Sequence, residues 1–113
     1  MRHRKKPKLA KGYDLDRRIM RAMSAALILH EKIETTSKRA KLVRSAVERF
    51  ITSGKSAELH RKRLLFSALP ANAARKVFEV LGPKYIDRKG GYTRLTRVGK
   101  TKDGDTKVAI EFV

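Results

Sequence analysis

The chain contains no cysteine, so disulfide scaffolds, thiolate zinc sites and cysteine nucleophiles are excluded at once. Aromatic residues make up 6% of it and tryptophan is absent, which denies base stacking a leading part in any affinity for nucleic acid. No uninterrupted apolar run approaches the ~18 residues a membrane-spanning helix needs. The N-terminus, Met1-Arg2-His3-Arg4-Lys5-Lys6-Pro7-Lys8, lacks the apolar stretch of a secretory signal and the serines and hydrophobic face of a transit peptide. A cytoplasmic protein is the expectation. Acids are scarce too: 11 Asp and Glu stand against 29 Lys and Arg, leaving a net charge of +18 on 113 residues. Such a surface repels itself, and screening beyond ~8 Å relieves this only in part. It makes most sense beside a polyanion.

What is present suffices for one small domain. Hydrophobic residues are 41% of the chain, enough for a modest core. The first twelve residues hold six Lys and Arg and no acid, and cannot bury enough surface to offset their ordering entropy. Residues 1–12 therefore read as a basic extended tail and 13–113 as a single domain. Without the tail, 23 Lys and Arg still face the same 11 acids, a net +12. The excess belongs to the folded body as well.

Periodicity predicts four helices and a small sheet. Leu15, Ile19, Ala22, Met23, Ala26 and Leu27 recur at helical spacing, with Asp14 as N-cap and Arg17, Arg18 and Arg21 off the stripe. Lys32-Ile33-Glu34-Thr35 reads as a short strand. A second helix starts after Thr36 or Ser37, buries Val43, Val47, Phe50 and Ile51, and stops at Gly54. Ser56 caps a third, with Leu59, Lys62, Arg63 and Phe66 along one side and Leu64, Leu65 and Leu69 widening its apolar surface. A fourth runs from Asn72 to Leu81 and is closed by Gly82-Pro83. Residues 92–98 and 108–113 are β-formers flanking Asp103-Gly104, a hairpin signal, and the strand near Ile33 is the candidate third member of their sheet. The fold class is α+β, with a two- to three-stranded sheet that includes the C-terminal hairpin.

Catalytic motifs fail on inspection. Gly99-Lys100-Thr101 imitates the end of a phosphate-binding loop, but Arg94 stands where its first glycine is required and a hairpin follows instead of a helix. His30-Glu31 lacks a second histidine, the acids are scattered singly, and His3, His30 and His60 make no persuasive metal site. No catalytic, cofactor or metal site is expected, and no small-molecule substrate. The basic residues form clusters: Arg17, Arg18 and Arg21 on the first helix; Lys38, Arg39, Lys41 and Arg44 at the start of the second, beside a helix N-terminus that suits an anion; and His60-Arg61-Lys62-Arg63 on the third. With the tail cations Arg2, Arg4, Lys5, Lys6, Lys8 and Lys11, these can clamp a polyanion from several directions. Neither a helix-turn-helix nor the aromatic strand of an RNA-recognition motif is present, so backbone and shape recognition of folded RNA is favoured. The alternative is a free-standing basic DNA- or nucleoid-binding module. Tyr92, beside Gly90-Gly91, is either an exposed stacking aromatic or a residue packed on the sheet.

Arg2-His3-Arg4, Leu27 through His30-Glu31, Ile33-x-Thr35-Thr36 with Ala40-Lys41, Ile51-Thr52, Gly82-Pro83-Lys84-Tyr85, Gly90-Gly91-Tyr92-Thr93-Arg94 and the terminal Ile110-Glu111-Phe112-Val113 follow one another in a familiar order. In these the chain resembles the bacterial large-subunit ribosomal protein seventeen family over essentially its whole length. Where that family often carries His-Arg, Asn and Pro, this chain has Asp16-Arg17, Ala22 and Ser45. The resemblance implies a non-catalytic, cytoplasmic component of the large ribosomal subunit and an α+β body. It also implies binding to large-subunit ribosomal RNA on the solvent side, near where the nascent chain leaves, beside neighbouring ribosomal proteins. The expected RNA contacts are the tail, with His3 included, then Arg17, Arg18, Arg21, Thr35, Thr36, Lys38, Lys41, Arg44, Arg61, Tyr92 and Arg94.

Overall fold

The structure, a computed structural model, describes residues 13–56 and 58–113. Helix α1 (Tyr13–His30) leads into strand β1 (Lys32–Thr36), then α2 (Ser37–Gly54) and α3 (Leu59–Ala68). Next, α4 (Ala71–Lys76) runs without a break through a π-helical turn (Val77–Leu81) into α5 (Gly82–Lys84). Strands β2 (Thr93–Lys100) and β3 (Thr106–Phe112) close the chain. Counting the continuous run from Ala71 to Lys84 once, the described residues form four helices and one sheet, the α+β class expected.

The sheet is antiparallel with β3 in the middle, in the order β1-β3-β2. Ile33 and Leu95 both lie opposite Ile110, so one apolar row crosses all three strands. That row explains why the short β1 is held: alone it could not bury Ile33, whereas Ile110 is fully buried beneath it. The hairpin turns where Asp103-Gly104 indicated. Gly104 adopts φ 87°, its N–H donates to the Thr101 carbonyl at 3.0 Å, and the Asp105 N–H donates to Thr101 Oγ1 at 3.2 Å.

Helix α2 is the centre of the fold and packs on α1, α3, the π-helical turn, α5 and the sheet. Thr36 caps it, its hydroxyl accepting from the Arg39 N–H at 3.5 Å. Ala40, Val43, Val47, Ile51 and Gly54 form its buried stripe at three- and four-residue spacing, and Phe50 packs half-buried at its edge. Helix α1 buries Ser24, Ala25, Leu27 and Ile28, whereas Ala22 is exposed, so its inner face is turned from the predicted stripe. The cause is that α1 meets α2, α4 and β1 together, which buries a wider arc than one stripe. It already contains Tyr13, so Asp14 lies inside the helix and is not its cap. Its far end is held by Lys76, whose ammonium bonds the Leu29 carbonyl and the Glu31 carboxylate, both at 3.2 Å.

Two further boundaries depart from expectation. Helix α3 starts at Leu59 after Glu58; Ser56 instead accepts from the Glu58 N–H at 3.2 Å in the preceding turn. Within α3 only Leu65 is buried, and Leu59, Leu64 and Phe66 face outward. Gly82-Pro83 does not end the fourth helix. The Gly82 N–H bonds the Val77 carbonyl five residues back, and this slipped register admits Pro83, which has no N–H to contribute and would crowd an ordinary turn. Glycine is required here. A Cβ on Gly82 would lie 2.5 Å from the Gly54 carbonyl oxygen, and one on Gly54 would lie 2.5 Å from Val77 Cγ1.

Gly82→Ala should therefore destabilise the protein by roughly 2 kcal/mol or more, because backbone meets backbone and neither can yield cheaply. Ser24 Oγ is fully buried with no hydrogen-bond partner among the described residues. Ser24→Ala should be neutral or stabilising by up to about 1 kcal/mol. Chemical denaturation of the two variants checks both; equal effects would contradict this account of the core.

Candidate nucleic-acid interface

The local geometry of α1 and α2 decides which cations are available to a ligand. Arg18 and Arg21 lie one turn apart on α1 and are exposed, with Arg17 exposed beside them. On α2, Lys38, Arg39 and Lys41 crowd the first turn and are also exposed. Arg18, Arg21, Lys38, Arg39 and Lys41 form no ion pair with a carboxylate among the described residues. The Thr36 hydroxyl accepts the cap bond from the Arg39 N–H and keeps its own proton to donate. The N-terminal N–H groups of an 18-residue helix point the same way and carry its positive dipole end.

Strand pairing gives this helix entry an opposite wall. Thr36 lies across from Lys107 on β3, so the β2–β3 turn comes to stand beside the start of α2. Thr36, Ser37, Lys38, Arg39, Lys41 and Leu42 form one side of the resulting open groove; Thr101, Asp103, Asp105 and Thr106 form the other. The carboxylates of that far wall were missed by a reading that treated Asp103-Gly104 only as turn chemistry. Thr35 precedes the cap on β1, half-buried against β3 opposite Val108.

Other expected contacts stand apart from this groove and are partly neutralised within the fold. Arg44 lies 3.7 Å from Glu48 on the next turn of α2, and Arg61 lies 3.6 Å from Glu58 at the start of α3. Arg94 Nε donates to Glu111 Oε1 at 2.8 Å across β2 and β3. That bond, aided by the guanidinium charge, holds the Glu111 carboxyl below the ordinary glutamate range. Arg97 and Lys100 are also exposed on β2 and were not among the expected contacts. The tail residues Arg2, His3, Arg4, Lys5, Lys6, Lys8 and Lys11 lie outside the described residues.

Tyr92 requires a correction. It is 1% exposed and is no surface stacking residue. Its ring packs 5.2 Å from that of Tyr85, and its hydroxyl accepts from Lys55 Nζ at 2.9 Å and approaches Thr52 Oγ1 at 3.5 Å. The Lys55 bond, then the Thr52 bond, lower the phenol's pKa against the opposing effect of burial. Lys55 also donates to the Arg88 carbonyl, and the Arg88 side chain donates in turn to the Gly90 and Gly91 carbonyls, both at 3.2 Å. The Val113 N–H bonds the Tyr92 carbonyl at 2.9 Å, while the Tyr85 hydroxyl donates to the Val113 carbonyl at 2.7 Å. Gly91, at φ 62°, supplies the left-handed turn this closure needs. The Gly90-Gly91-Tyr92-Thr93-Arg94 run is thus a lock that fastens the chain end to α2.

A small basic α+β protein with an uncompensated cationic flank is the class these observations define. The "Ribosomal protein L17" family model matches residues 19–113. A protein of Hydrogenobaculum sp. is 42% identical over 117 residues, spanning 100% of this chain and 99% of its own. Relatives from Thermomicrobium roseum and Syntrophotalea carbinolica are 36% and 40% identical, each over 116 residues and 100% of this chain, covering 99% and 75% of their own lengths. All three are named "Large ribosomal subunit protein bL17". The chain belongs to the ribosomal protein L17 family.

Two outcomes follow from the site. Because Glu111's pKa is depressed by folding, its pairing with Arg94 contributes fully above the ordinary glutamate range and is lost as pH falls through the depressed value. The stability difference between the wild type and Glu111→Gln, from denaturant titrations at low salt, should therefore shrink from neutral pH into acid; a constant difference contradicts it. Tyr92→Phe should cost about 1 kcal/mol of stability through its lost hydroxyl bonds. RNA affinity should stay within about twofold, since the hydroxyl faces the interior; a larger loss in a binding assay would return Tyr92 to the interface.

Proposed function

We propose that this chain is a non-catalytic structural component of the large ribosomal subunit in the cytoplasm, binding the subunit's RNA and stabilising its folding and assembly. One observation supports this most: five exposed cations on α1 and α2, in a member of the L17 family, have no carboxylate partner among the described residues. Charges left unpaired on a self-repelling surface are stabilised when phosphates come to rest against them. Arg18 and Arg21 reach neighbouring phosphates from one helical turn. Lys38, Arg39 and Lys41 receive another at the helix entry, where the Thr36 hydroxyl and the free N–H groups donate. Arg17, Thr35, Arg44, Arg61 and Arg94 are secondary contacts in this reading. Residues 1–12 act as a basic tail threading between phosphates as the RNA folds, and 13–113 as the docking domain. On the strength of the family resemblance, we put its station near the exit side of the subunit, beside other ribosomal proteins.

Binding of a large-subunit ribosomal RNA fragment as a function of salt tests the reading. Neutralising about ten phosphates gives a log–log slope of roughly −7 to −9. Changing Arg18, Arg21, Lys38 and Lys41 together to Gln should make the slope shallower by roughly 3 and leave the circular dichroism spectrum unchanged. A slope near zero removes the electrostatic basis of the proposal. Equal affinity for duplex DNA of the same length would favour a free-standing DNA-binding module.

A further inference from the structure

The chain is strongly cationic, yet one region of its surface exposes apolar side chains. On α3, Leu59, Lys62, Arg63 and Phe66 share a face at spacings of three and four residues, with Leu59 61% exposed and Phe66 37% exposed. Phe66 stacks on Phe78 of the π-helical turn, ring centroids 6.3 Å apart. Phe78 in turn lines an open cleft with Pro83 and Ile86, the latter 56% exposed. Leu59, the two phenylalanines and Ile86 therefore form a broken apolar strip, interrupted on α3 by Lys62 and Arg63. Apolar side chains grouped in this way beside an open cleft suit contact with another macromolecule. Phosphates and riboses gain nothing from leucine and isoleucine, so this strip is unlike the flank assigned to RNA.

The charges around it select the partner. Lys62 holds its ammonium 5.3 Å above the Phe78 ring, in the middle of the strip, and lines the cleft together with Lys55. Arg63 projects from the same helical face. Across residues 58–89, eight Lys and Arg face three acids. A second copy of the chain would bring the same cations against these and be repelled. We infer that the strip from Leu59 to Ile86 is a docking site for an amphipathic segment of another protein, whose apolar side chains enter the cleft and whose flanking carboxylates pair with Lys62 and Arg63. The apolar side chains of this strip are not among the residues assigned to RNA, although Arg61 of the same helix is, and the proposal does not depend on the RNA reading.

The test titrates the full-length chain with a designed amphipathic helical peptide of about 18 residues, five turns, carrying Leu and Phe on one face and Glu along its borders. The control peptide has the same composition with its apolar residues dispersed around the helix. Expected are affinity for the patterned peptide roughly tenfold above the control, and shifts of the Leu59 and Ile86 methyl resonances on binding. Leu59→Ser with Ile86→Ser changes two exposed side chains and should weaken the patterned peptide roughly tenfold. Lys62→Gln should weaken it severalfold, and ribosomal RNA binding by the double serine variant should stay within about twofold. Equal affinity for both peptides, or methyl shifts elsewhere on the surface, would overturn the proposal. So would a loss of RNA affinity in the double serine variant, which would assign the strip to RNA. Loss of RNA binding in the wild type with peptide binding intact would count only against the RNA reading.

Discussion

Eleven carboxylates must serve 29 Lys and Arg side chains, and everything about this surface follows from how the fold distributes them. Glu31, Glu34, Glu48, Glu58 and Glu111 each hold one cation within 4 Å, and every one of these pairs has an exposed member. Three fasten parts of the fold together: Glu31 with Lys76 joins the end of α1 to α4, Glu34 with Lys107 joins β1 to β3, and Glu111 with Arg94 stitches β2 to β3. Exposed pairs of this kind contribute little individually. Their larger effect is on placement: these carboxylates engage Arg44, Arg61, Lys76, Arg94 and Lys107, and leave Arg18, Arg21, Lys38, Arg39 and Lys41 without an ion pair among the described residues. In the function proposed for this chain, a polyanion completes that cationic flank, because so few acids cannot.

The body behind the flank is rigid for reasons of packing. Gly54 and Gly82 let the end of α2 and the start of α5 meet at backbone distance, and the π-helical turn brings Gly82 to that meeting point while accommodating Pro83. On the other side of α2, Tyr92 with Lys55 and Arg88 fastens the start of β2, and Tyr85 fastens the final residue. Three of the runs that carry the family resemblance, at Thr35-Thr36, Gly82-Pro83-Lys84-Tyr85 and Gly90-Gly91-Tyr92-Thr93-Arg94, therefore cap, cross and lock α2. They hold the cationic helix entry in position and, apart from Thr36, do so without offering a side chain to a ligand at the groove.

Features set by neighbours in sequence were legible beforehand: the Thr36 cap, the Gly104 turn of the C-terminal hairpin, and a strand around Ile33. So was the exposed row Arg17, Arg18 and Arg21, because charge and helical spacing are local properties. Burial of Tyr92 was not, since it depends on Lys55 and Thr52, some forty residues away, reaching its hydroxyl. The helix running on through Gly82-Pro83 was missed for a related reason. Both residues are ordinary stop signals, and only the slipped hydrogen bond to Val77 overrides them. On α1 the alanines at 22 and 26 counted as apolar in the pattern, yet the packing of three elements against the helix decided which side faced inward. The groove's second wall, with Asp103 and Asp105, needed the β1–β3 register to bring it beside α2.

A resolved large subunit containing this chain is the most direct test of the claim that its excess charge exists to be neutralised by RNA. The account predicts Arg18, Arg21, Lys38 and Lys41 within hydrogen-bonding distance, roughly 2.7–2.9 Å, of phosphate oxygens, with the Thr36 hydroxyl donating at the same groove. A particle in which those groups pointed into solvent, with no nucleotide beside them, would contradict it.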